Sequence, residues 1–92
     1  MAGTGTATID FGATPIDGQT FTVTDAAIGS GNYVEAFVMH GDSTADNDST
    51  AHEMAAASWR LSAKPAAGSF ELIIHNLFWL CTGQFKIRYA WS

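Results

Sequence analysis

Between Asp42 and Glu53 the chain places oxygen-bearing side chains at alternate positions, Asp42, Thr44, Asp46, Asp48 and Thr50, and closes the series with Glu53. That is the donor spacing of an EF-hand calcium loop, where a tight turn can wrap a large cation only if its ligands point inward at every second residue. Calcium is the cofactor this spacing would suit, with Asp42, Asp46, Asp48 and Glu53 as the carboxylate ligands. Two positions depart from the pattern. Asn47 stands where the sharp bend takes glycine, and Ser49 where the pattern has an apolar residue. An acidic stretch rich in serine and threonine also arises from composition alone, as a solvated tip that holds nothing, and the expectation is therefore a loop without a cofactor.

Other residues with chemical potential form weaker sets. His40, His52 and Glu53 with Asp46 or Asp48 offer the nitrogen and oxygen donors of a zinc site, but no pair of histidines stands one helical turn apart to organise it. Two histidines at a loop edge, hydrogen-bonded to neighbouring carboxylates, account for the same residues. Cys81 and His75 provide a thiol and a base. Nothing nearby in the sequence activates the thiol and no third group orients the base, so Cys81 reads as a small buried hydrophobe and the chain as a non-enzyme. Tyr33, Phe78, Trp79, Tyr89 and Trp91 have the rings for a sugar platform, although most are needed in a core. Phe78 and Trp79 are consecutive, and on a strand they would point to opposite faces. One of them must then leave the core for a second packed surface. A subunit interface is expected there, ahead of a ligand cleft, because interfaces are enriched in aromatic residues; Phe78, Trp79, Tyr89 and Trp91 are its candidates.

These groups hang on strands. Over the last ten residues Phe85, Ile87, Tyr89 and Trp91 alternate with Gln84, Lys86, Arg88 and Ala90, a period of two that only a strand uses to gather its apolar residues on one face. Thr6 to Phe11 alternates in the same way, and Thr20 to Thr24 follows with Phe21 and Val23 inward, after a turn signalled by Asp17-Gly18. Ala26 to Asn32 reads as a loop. Tyr33 to Met39, apolar apart from Glu35, is expected to be a central strand covered on both faces. Gly41 to Glu53 has no apolar residue larger than alanine and is expected to be the longest loop. Met54 to Ala63 resumes as a strand, with Ala51 to Ser58 open to a helical turn instead. Pro65 to Gly68 reverses the chain, Phe70, Leu72 and Ile74 share one face of the next strand, and Leu77-Phe78-Trp79-Leu80 extends its apolar run to the turn at Thr82-Gly83. The expected fold is all-β: a single antiparallel β-sandwich of jelly-roll type with six to eight short strands, residues 1–92 forming one domain.

Composition narrows the partners. Nine acidic residues against four basic ones leave a formal charge of −5, which repels phosphate backbones and disfavours direct nucleic-acid binding. No apolar run reaches a membrane span, and the first residues lack the basic and apolar regions of a secretion signal, so cytoplasmic synthesis without membrane insertion is expected. Six phenylalanines, two tyrosines and three tryptophans are many for a chain of 92 residues, and self-association into a homo-oligomer, a trimer for instance, would cover the surplus.

Three segments carry a resemblance across nearly the whole chain: Thr8-Ile9-Asp10-Phe11-Gly12, then Tyr33 to Met39 leading into the loop that ends His52-Glu53, then Thr82-Gly83-Gln84-Phe85 to Trp91-Ser92. Together they resemble the small all-β proteins encoded among the structural genes of tailed bacteriophages and prophages. The resemblance implies a virion role, as a capsid decoration or cement protein bound to the major capsid protein, or as a tail or fibre component that binds carbohydrate or the host surface. Localisation would then be the virion, after synthesis in the host cytoplasm.

Overall fold

Phe85, Ile87, Tyr89 and Trp91 point into the core from one face of the terminal strand, as their spacing predicts, and that strand is the spine of one of two sheets. The computed structural model describes residues 2–77 and 79–92. In these the elements run β1 (Gly3–Asp10), β2 (Gly18–Thr24), β3 (Val34–Phe37), α1 (Ser49–Ser58), β4 (Trp59–Ala66), β5 (Ser69–Asn76) and β6 (Gln84–Trp91). Two three-stranded antiparallel sheets result, in the orders β1-β6-β3 and β2-β5-β4. The pairing is nested: the first strand lies on the last, the second on the fifth, and β3 meets β4 across the two sheets.

Both sheets turn their alternate apolar residues to a shared core of Ile9, Val23, Phe70, Leu72, Ile74, Phe85, Ile87, Tyr89 and Trp91. Aromatic edges bridge the layers. Phe70 on β5 meets Tyr89 on β6 at 4.8 Å between ring centres, and Trp59 on β4 meets Phe85 on β6 at 4.7 Å, both in the edge-on geometry that suits ring quadrupoles. On β1, Gly3 and Gly5 lie opposite Trp91 and Tyr89, whose rings occupy the space that a Cβ at either glycine would need.

Five expectations need correction. Val34–Phe37 is a short edge strand, not a central one; its outward residues are exposed, and Phe37 and Met39 are 41% and 46% accessible. The segment expected to be loop up to Glu53 turns helical at Ser49, because Asp48 caps the helix by accepting from the Ala51 N–H at 2.9 Å and the alanines that follow favour it. The strand expected from Met54 begins at Trp59 instead. The apolar run after Asn76 lies beyond β5, so Trp79 is not on a strand and the opposite-face argument for the Phe78–Trp79 pair does not apply; Phe78 itself is outside the described residues. Pro65 is part of β4, at the sheet edge where no ladder hydrogen bond is demanded of it, and the reversal is made by Ala67 and Gly68, the latter with φ +75°.

Candidate functional site

β6 is longer than β3, and what lies along the difference explains the acidic loop. The pairing of β3 with β6 runs from Val34↔Trp91 to Phe37↔Arg88 and stops. Past that point the N–H and C=O groups on the same side of β6 would be bare. Side chains from residues 44–52 take them up. The Gln84 carbonyl accepts from the Thr44 hydroxyl at 2.7 Å and from Asn47 Nδ2 at 2.8 Å, the Gln84 N–H donates to Asp46 Oδ2 at 2.9 Å, and the Lys86 N–H donates to His52 Nε2 at 2.9 Å. Asn47 Nδ2 also donates to the Thr82 carbonyl at 3.0 Å. A row of polar side chains thus replaces a strand, satisfying backbone groups that would otherwise cost free energy when covered. Gly83 is required beneath it: φ is +73°, and a Cβ there would sit 2.7 Å from that of Asp46.

The four carboxylates of the calcium pattern go to different partners. Asp42 takes Arg88 in a two-pronged pair, Nε and Nη2 each donating at 2.8 Å, and this bond is the main cause that holds its carboxyl below the usual carboxylate range. Asp46 serves Gln84, Asp48 caps α1, and Glu53 is exposed on the helix. The last positions of the spacing are therefore wound into a helix and do not close a loop around one point. Of the zinc set, His52 is fully buried with both ring nitrogens engaged, whereas His40 is exposed. Among the described residues no three His, Cys, Asp or Glu side chains are placed to share a metal ion. Cys81 is buried, its thiol is pushed up by that burial, and its sulfur accepts from Asn76 Nδ2 at 3.1 Å. His75 faces outward on β5.

The candidate interface residues divide. Tyr89 and Trp91 belong to the chain's own core and are not available to a partner. Trp79 is half-buried at one end of the molecule, where Leu77, Leu80 and Met54 are 51%, 59% and 52% accessible. A groove of about 270 Å³ lined by Ala51, Met54, Trp79, Leu80 and Phe85 adjoins a second, lined by Asp17, His75, Leu77, Trp79 and Leu80. Met54, Leu77 and Leu80 were not expected at a surface site. The Leu77 to Leu80 run carried the signal, since four apolar residues after the strand ends must either be covered or exposed. No protein-family model matches the chain, and no curated protein or solved structure is similar to it. The geometry alone must then suggest the role.

A polar strut ties β6 of one sheet to the end of β2 in the other. The Tyr89 hydroxyl donates to Asp25 Oδ2 at 2.7 Å, and Asp25 also accepts the Ala27 N–H, so its carboxyl lies below its ordinary value while burial and the Asp25 bond push the Tyr89 phenol up to about 12. For Tyr89, a folded value above the unfolded one means that its stabilising share is complete below pH 10 and is lost as pH rises toward 12. Asp25 and Asp42 act in the opposite direction, their share being complete above the unfolded carboxylate range and lost as pH falls through their depressed values. Melting temperature should therefore be flat across neutral pH and fall at both extremes. Tyr89→Phe should remove part of the alkaline fall; an ultraviolet titration in which the Tyr89 phenol, read as the difference between the parent and Tyr89→Phe, ionises at its ordinary value would show the strut to be absent.

Proposed function

We propose that the chain is a non-enzymatic structural protein of a tailed-phage virion, a capsid decoration or cement protein that works as a symmetric oligomer fixed to a larger shell. The apolar end formed by Met54, Leu77, Trp79 and Leu80 carries this reading, because large aliphatic and aromatic side chains left open around adjoining grooves suit a lasting protein contact. The strand order supports it too. Nested pairs of first with sixth and second with fifth, with third beside fourth, are what an antiparallel ribbon gives when rolled up, and on this reading the fold is a jelly roll with one strand pair fewer than the eight-stranded form used in capsids. Each copy would contribute a modest contact, and repetition over a lattice would multiply it into a stable coat.

The test is co-assembly. Produced together with the products of the genes beside its own, the protein should sediment with assembled particles in a density gradient, and Trp79→Asp should leave it at the top. Particles that assemble in its presence while the parent protein stays at the top of the gradient would overturn the reading. One observation favours a tail-tip or fibre module that binds carbohydrate: Tyr33 is 81% accessible beside a groove of about 240 Å³ that Glu35, Trp91 and Ser92 also line. Saturation-transfer NMR with host-surface glycans, reading the Tyr33 ring, distinguishes the two.

A further inference from the structure

Each of the two sheets has two edges, and the four are not treated alike. β3 is four residues long and carries Glu35, and β4 carries Arg60, Lys64 and Pro65; short length, outward charge and proline are the usual means of keeping an edge from pairing with another chain. These two edges also meet each other. On the opposite side β1 reads Gly-Thr-Gly-Thr-Ala-Thr-Ile-Asp and β2 Gly-Gln-Thr-Phe-Thr-Val-Thr, with no proline and no charge before Asp10.

Which backbone groups of β1 are open follows from the ladder. Tyr33 and Ser92 exchange both hydrogen bonds, at 2.8 and 2.9 Å, so the even-numbered residues of β6 face β3 and the odd-numbered ones face β1. Opposite these lie Gly3, Gly5, Ala7 and Ile9. The N–H and C=O groups of Thr4, Thr6 and Thr8 therefore aim away from the sheet, and among the described residues nothing bonds to them. Their side chains are exposed on the outer face.

We propose that β1 is a self-pairing edge and that two copies join through it, antiparallel about a two-fold axis at Thr6. In that register Thr6 faces Thr6 and Thr4 faces Thr8, which gives cross-strand threonine pairs on the outer face and continues the sheet as β3-β6-β1-β1-β6-β3. Asp10 of each copy falls opposite Ala2 of the other, so the two carboxylates do not oppose. On the inward face Gly3 falls opposite Ile9 and Gly5 opposite Ala7, so no two large side chains oppose. β2 has a comparable row in Thr20, Thr22 and Thr24, but it is the shorter strand and carries Phe21 on its inner face, which makes it the control. The product is a dimer, in place of the trimer suggested by composition.

The inference rests on the oligomer part of the proposed function and not on the virion part. Thr6→Pro removes an N–H that no bond within the chain uses, at an edge where proline is tolerated, so the fold should survive and the pairing should not. Light scattering behind a sizing column should give a dimer for the parent and for Thr22→Pro, and a monomer for Thr6→Pro. Thr6→Lys, which leaves the backbone intact, should also be monomeric. Amide exchange at Thr4 and Thr8 should be slow in the parent and fast in both Thr6 variants. A monomeric parent, a trimer, or a dimer that survives both Thr6 variants would overturn the proposal. A dimer that dissociates as expected but never joins particles would overturn the virion role alone.

Discussion

Truncating Trp91 to alanine should cost about 3–5 kcal/mol, the range for deleting a large aromatic side chain from a packed interior. The indole is 8% accessible and closes the core at the end of β6, where the strand is paired on both sides, with Gly3 on β1 and Val34 on β3. Gly3 cannot fill the space that is left, because it has no side chain, and a larger residue there would collide with the indole in the parent, a Cβ coming within 2.8 Å of it. For a domain of this size each kcal/mol moves the melting temperature by about 4–8 °C, so a fall of at least about 12 °C is expected in a thermal scan. Trp91→Phe should recover most of it. A Trp91→Ala protein that melts like the parent would mean that the terminal strand is out of the core, and with it the spine of the first sheet.

That strand was the most legible part of the chain, and the reason is physical: four large residues at a period of two admit only one face. The same signal placed Phe70, Leu72 and Ile74 correctly on one face of β5, at 0%, 0% and 2% accessibility. The helix was obscure because its buried face consists of His52, Ala55 and Ser58, none of which marks an amphipathic stripe in the way that leucine or isoleucine would. Uniform hydrophobicity from Tyr33 to Met39 suits a strand covered on both faces, whereas the strand that forms, Val34–Phe37, sits at an edge and leaves Tyr33, Phe37 and Met39 open to solvent. The carboxylate pattern between Asp42 and Glu53 was visible, but its use was not. Spacing along a chain says which side chains alternate, and cannot say that a strand forty residues further on outruns its neighbour and needs donors and acceptors from elsewhere.

Replacing His52 by alanine should be the most damaging change in that clasp, at about 2–5 kcal/mol for a fully buried side chain with two hydrogen bonds. Nε2 accepts the Lys86 N–H, which it can do only without a proton of its own, so the proton is on Nδ1 and is donated to the Asp48 carbonyl at 3.0 Å. The ring also packs on Phe85 at 5.0 Å between centres, linking the helix to the core side of β6. His52→Ala would leave a cavity beside Phe85 and an unpaired Lys86 N–H, while His52→Phe would fill the space and lose both ring hydrogen bonds, the acceptor for Lys86 and the donor to the Asp48 carbonyl, for about 1–3 kcal/mol. The difference between the two variants separates packing from hydrogen bonding. Amide exchange gives the local readout: the Lys86 and Gln84 amides should be protected in the parent, and Lys86 should lose protection first in both variants. Parent amides at Lys86 that exchange as fast as those of an exposed loop would show that no clasp exists. If it does exist, its loss uncovers a second bare edge on β6, and the His52→Ala protein should aggregate on warming at concentrations where the parent stays dispersed.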